Sequence, residues 1–138
     1  MKRYLGIFSI ALLSIALNSC MEDEATDNIY LSYRAIDSIQ IEQINPARQV
    51  TEIKTFFTRK NSCEHIFDYD YRIFQNERTV RLVMSQINDQ PCDSLGEAVY
   101  HSLKFRPEHH GKYIFHFWNG FDENNNPVYI TEEIIIPL

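Results

Sequence analysis

The chain has 138 residues, a formal net charge of −6 and an aromatic content of 13%. That length fits one domain and is enough to bury a core. The acidic balance argues against nucleic acid or an anionic lipid surface as partner, since both require a basic face.

Lys2 and Arg3 make a short positive start, and Leu5 to Leu17 is an apolar run of 13 residues broken only by Gly6, Ser9 and Ser14. This is the layout of a secretory signal. As a helix the run reaches about 20 Å, short of a ~30 Å hydrocarbon core, so a permanent membrane span is not expected. It ends in Leu17-Asn18-Ser19-Cys20, which resembles the lipobox of bacterial lipoproteins. Leu17 and Cys20 match that pattern, and Asn18 and Ser19 are tolerated variants of it. The resemblance implies cleavage before Cys20 and acylation of its sulfur and new amine. Two or three chains anchor a protein stably, at ~0.8 kcal/mol per buried CH₂. An ordinary signal peptide that leaves Cys20 free is the other reading.

Behind Cys20 runs Met21-Glu22-Asp23-Glu24-Ala25-Thr26-Asp27. This acidic cluster resembles the surface-export signal of lipoproteins in the Bacteroidota and implies the outward face of the outer membrane. The periplasmic face is the alternative, with the acidic stretch then a solvated tether. The expected division is a signal peptide over 1–19, a lipidated acidic tether over 20–35 and a folded domain over 36–138. Loss of Lys2 and Arg3 moves the net charge from −6 to −8.

If acylation consumes Cys20, Cys63 and Cys92 remain as a pair in an oxidising compartment, and a disulfide between them is expected. Closing that loop contributes roughly 3–4 kcal/mol on the chain-entropy argument. Two buried thiols, or a metal pair short of its other ligands, are the alternatives. The bridge is expected to be structural, because no C-x-x-C motif is present.

After residue 30 the chain reads as short β-branched and aromatic runs separated by turn residues. Strands are expected over Ile36–Ile44, ended by Asn45-Pro46, and over Val50–Phe57. The next run, Ile66–Phe74, alternates with Phe67, Tyr69, Tyr71 and Ile73 on one face. A turn at Gln75-Asn76-Glu77 leads into Thr79–Ser85, where Val80, Leu82 and Met84 align. The remaining strands are Val99–Phe105, Lys112–Trp118 and Val128–Ile136, the last two joined by a polar loop from Asn119 to Pro127. Seven such strands, alternating rather than continuously apolar, predict an all-β antiparallel β-sandwich.

The run Leu103-x-Phe105-x-Pro107-x-x-x-Gly111-x-Tyr113-x-Phe115 resembles the E-to-F corner of immunoglobulin-like domains. There a tyrosine hydroxyl bonds back across the corner. The resemblance implies an immunoglobulin-like sandwich with Tyr113 as the corner tyrosine. Cys92 precedes this corner, so a Cys63–Cys92 bridge differs from the antibody inter-sheet bridge, and Trp118 lies in the wrong strand for the antibody core tryptophan. A small lipocalin-like barrel is the alternative fold. The overall layout is also similar to small Bacteroidota surface lipoproteins, from which no activity carries over.

Three groupings invite chemistry. Asp122-x-Asn124-x-Asn126 with Glu133 mimics a calcium loop, but Pro127 stands where such a loop needs glycine, so a turn is the expected reading. His109, His110 and His116 lack ligands at zinc spacing. Asp68 and Asp70 share a strand face about 7 Å apart, within glycosidase range, although alternating charge on a wet face is far commoner. No nucleophile elbow, phosphate loop or H-E-x-x-H occurs. No catalytic residue, metal or other cofactor is therefore expected.

Binding fits better. With Tyr113, Phe115 and Phe117 inward, Ile114, His116 and Trp118 face outward as a candidate interaction patch. The other reading covers this face with the 21–35 segment, where Ile29, Tyr30, Leu31 and Tyr33 need a home. The function expected is a lipid-anchored, non-enzymatic binding module for a protein or a glycan. An accessory subunit of an outer-membrane complex and an inhibitor or immunity-type protein are the alternatives.

Overall fold

The computed structural model describes residues 28–87 and 91–138. They form eight strands: β1 (Ile29–Arg34), β2 (Ser38–Ile41), β3 (Thr51–Asn61), β4 (Glu64–Phe74), β5 (Glu77–Ile87), β6 (Ser94–Phe105), β7 (Gly111–Phe121) and β8 (Pro127–Ile136). Among the described residues no helix is long and apolar enough to cross a membrane. Cys20 and the rest of the expected signal and acidic stretch, residues 1–27, lie outside the described residues.

Two sheets pack face to face as a β-sandwich. The smaller has the order β2-β3-β6, and the larger contains β1, β4, β5, β7 and β8. Neither sheet closes into a barrel. In the larger sheet β5 pairs with β4 along one edge. Its other edge is shared, Leu82–Ile87 going antiparallel to β1 and Glu77–Val80 parallel to β7. The β5–β7 pair is the parallel one; the other pairings are antiparallel. In immunoglobulin-like terms, β2-β3-β6 keep an A-B-E order and β7-β8 an F-G order, with β5 inserted between β4 and β7.

The corner between β6 and β7 forms as its sequence implies, with the Tyr113 hydroxyl donating to the carbonyl of His109 at 3.1 Å. Gly111 has a φ of 116°, a region that favours glycine, and so makes the turn into β7.

Alternation places the core. Ile53 and Phe57 of β3, Val80, Leu82 and Met84 of β5, Phe115 and Phe117 of β7, and Ile134 of β8 are all fully or nearly fully buried. Phe105 of β6 sits edge-on to both Tyr113 and Phe115, with centroids 5.1 and 4.9 Å away, locking the corner to the core. Thr55 is buried yet satisfied by the Tyr69 hydroxyl at 2.6 Å and the His101 carbonyl at 3.1 Å.

Two features reinforce the β3–β4 corner. Cys63 and Cys92 form a disulfide with Cα atoms 5.5 Å apart, joining the β3–β4 corner to the chain entering β6. Arg34 of β1 pairs with buried Glu64 of β4, whose other oxygen accepts the Lys60 amide at 2.8 Å. Breaking one side of such a buried pair costs about 3–5 kcal/mol, because the other charge is left uncompensated.

The folded part starts before residue 36. Residues 29–34, expected to belong to the tether, form β1, because β5 offers an unpaired edge beyond its contact with β7. The expected strand Ile36–Ile44 shrinks to β2, since Ile36 crosses between the sheets. Its amide donates to the Trp118 carbonyl at 2.9 Å, while the Asp37 amide donates to the Phe56 carbonyl on the opposite sheet at 2.8 Å. The register of β4 shifts between Ile66 and Asp68. That bulge takes Phe67 out of the inward set, and its ring is 61% exposed.

Candidate functional site

The outer face of the larger sheet collects the residues most unlike a solvated surface. Register puts Ile29, Leu31 and Tyr33 of β1 opposite Ile87, Ser85 and Val83 of β5. On β4, Asp68 and Asp70 stand opposite Val83 and Arg81. On β7, Ile114, His116 and Trp118 stand opposite Glu133, Thr131 and Tyr129 of β8. The sequence patch thus lies on the expected face, with Tyr113, Phe115 and Phe117 turned inward.

Trp118 is nevertheless covered. It is 9% exposed, with Tyr33 edge-on at 6.0 Å and Phe121 edge-on at 5.4 Å. Tyr33, from the 21–35 segment that the sequence offered as a cover, supplies part of this packing. Ile114 and His116 are half-buried. His116 is engaged by Thr131 at 3.1 Å, by the Glu77 carboxylate at 3.4 Å and by the Tyr129 ring at 6.4 Å. The exposed apolar surface lies beside these residues, on Leu31 (47%), Tyr33 (46%), Phe67 (61%) and Phe121 (60%).

Leu31, Tyr33, Phe67 and Val83 line a shallow depression of about 400 Å³ whose polar wall includes Asp68 and Asp70. Asp70 is its charged centre. Its carboxylate is bound by Arg81, by Arg72 at 3.3 Å and by the Tyr33 hydroxyl at 3.1 Å. Partial burial acts to raise its pKa, but these donors outweigh it and hold the carboxyl below the ordinary aspartate value. The Arg81 guanidinium lies 4.3 Å from the Tyr33 ring centroid, a cation–π contact that fixes the tyrosine between charge and Trp118. Phe121, Trp118, Tyr33 and Arg81 therefore form one connected strip.

The remaining groupings resolve into local structure. One Asp122 oxygen accepts the amides of Asn124 and Asn126, at 2.9 and 2.8 Å, and the other accepts the Asn126 side chain at 3.2 Å. Those bonds cap the β7–β8 turn and hold the Asp122 carboxyl below its usual pKa. His109 and His110 stand exposed at the β6–β7 corner. Among the described residues no group of three or more His, Cys, Asp or Glu is placed to hold a metal ion. Asp68 accepts the Tyr69 amide at 2.7 Å, and Asp70 is ion-paired and ionised, unsuited to act as a general acid.

No family model, curated protein or solved structure matches this chain.

Sequence reasoning named Leu31 and Tyr33 only as a possible cover for this face and missed Phe67, Arg81 and Phe121. A signal for Leu31 and Tyr33 existed in the alternation of Ile29, Leu31 and Tyr33. Phe67 had none, because a bulge reverses what alternation implies.

Proposed function

We propose that this chain is an exported, lipid-anchored binding module, held in the outer membrane through acylated Cys20 and facing outward. In this reading the outer face of the larger sheet, around Leu31, Tyr33 and Phe67, engages a protein or glycan partner. The observation that carries it is the run of exposed apolar and aromatic side chains on paired strands, set beside the Asp70–Arg81 charge pair. An aromatic patch fixed before binding loses little conformational entropy on contact, and fixed polar neighbours supply direction. The Cys63–Cys92 bridge fits export, since such bonds persist in oxidising compartments.

Eight residues lie between Cys20 and Ile29, so an extended tether spans at most ~30 Å. That short reach favours a partner that itself sits at the membrane, which keeps the accessory-subunit reading as the second one. The test compares pull-downs from detergent-solubilised membranes using the wild-type chain, Phe67→Ser and Leu31→Ser. Both substitutions lie on exposed side chains and should leave the fold intact. Loss of one stoichiometric partner with both variants supports the proposal, and unchanged recovery refutes it. Labelling with radioactive palmitate, absent in Cys20→Ser, tests the anchor separately.

A further inference from the structure

The two buried arginines, Arg34 and Arg78, differ in one respect. Arg34 is paired with Glu64. Arg78 is 9% exposed, and among the described residues no carboxylate lies within ion-pair distance of it. Burying an unpaired cation is costly unless something anionic comes to it. Arg78 also borders open space. It lines a cavity of about 810 Å³ at the end of the sandwich, between the β4–β5 hairpin and the β6–β7 corner.

The guanidinium is held firmly. Its Nη1 donates to the carbonyls of Gln75 at 2.9 Å and Glu77 at 2.8 Å, and its carbon lies 5.0 Å from the Tyr113 ring centroid. Both hydrogens of Nη1 are thereby used, and on the remaining side the guanidinium also hydrogen-bonds the Tyr71 hydroxyl. The Nη2 and Nε side is an edge by which arginine can hold a planar carboxylate. The cavity is also lined by Tyr71, Ile73 and Leu103, and it carries Lys104, Arg106 and Lys112, the last paired with Glu133 at 3.0 Å, beside the acid Glu108. In a chain of net charge −6, this is a local positive mouth.

We propose that this cavity binds a carboxylate borne on a ring-sized body, as in a uronic acid, with the carboxylate on Arg78 and the ring against Tyr71 and Ile73. The site lies at the end of the sandwich, between Tyr71 and Ile73 of β4 and Leu103 to Phe105 of β6. The same chemistry is offered by a free acid or by the end of an acidic glycan. This site is distinct from the outer-face patch and stands or falls separately from it.

Isothermal titration of the full chain with glucuronate, glucose and inorganic phosphate tests the proposal. Glucuronate should bind at least tenfold more tightly than either glucose or phosphate, and its affinity should fall as salt is added. Arg78→Gln should lose that binding. Because Arg78 is buried, Ile73→Glu is the second variant: the side chain is 65% exposed, so the fold should survive while the added carboxylate repels the ligand. Tighter binding of an oligosaccharide ending in glucuronate than of the monosaccharide supports a glycan source, and equal binding supports a free acid. Equal affinity for glucuronate and glucose, for glucuronate and phosphate, or for wild type and Ile73→Glu overturns the proposal.

Discussion

Trp118→Ala separates a covered aromatic from an exposed one. A tryptophan ring of this kind buries roughly 150–250 Å², which at ~25 cal/mol per Å² is about 4–6 kcal/mol of apolar transfer. Tyr33 and Phe121, which form part of its cover, are themselves 46% and 60% exposed and free to settle into the gap. Relaxation of that kind lowers the cost, so the expected loss is about 3 kcal/mol, at the lower end of the range for Phe or Trp to Ala. Urea unfolding followed by circular dichroism reads it as a drop in the midpoint with an unchanged slope. A double-mutant cycle with Tyr33→Ala should give a coupling of about 1 kcal/mol for the edge-on pair. A loss under about 0.5 kcal/mol, the value for an exposed position, refutes the packing described for β1.

Replacing Cys63 and Cys92 together by serine should cost roughly 3–4 kcal/mol through the freed loop in the unfolded chain, measured by thermal unfolding with and without reductant. Tyr113→Phe removes the hydroxyl bond to the His109 carbonyl and should cost about 1 kcal/mol in urea, with the fold retained. Asp70 has a folded pKa below its unfolded one, so its contribution is present above the unfolded value near ~4 and is lost as pH falls through the folded value. Asp70→Asn should flatten that acid limb in a pH series of unfolding midpoints. Tyr69, pushed up to about 12 by burial despite its bond to Thr55, works in the opposite direction. Stability should fall as pH rises from ~10 towards about 12, and Tyr69→Phe should remove that fall.

The β-sandwich was legible because alternation survives in the long strands. Val80, Leu82 and Met84 on β5 and Phe115 and Phe117 on β7 point inward as their spacing implies. The corner was legible for the same reason: Gly111 and Tyr113 act through bonds a few residues long. The disulfide followed from counting cysteines once Cys20 was set aside.

Features set by distant partners left weaker traces. β1 is a strand because β5 has an open edge, and its own side chains are mostly exposed, so its pattern resembled a tether. The parallel β5–β7 contact has no local signature. Phe67 is turned outward by one extra residue in β4, and Arg78 is buried because the end of the sandwich closes around it. Both side chains that matter most to the proposed binding sites were thus positioned by tertiary geometry.

The binding face is tested most directly by placing a photo-crosslinking amino acid at Phe67 in living cells, with Lys54 on the smaller sheet as the comparison position. Irradiation should give a discrete adduct from position 67 and none from position 54. Adducts of equal yield from both positions, or none from either, would contradict a partner seated on the outer face of the larger sheet.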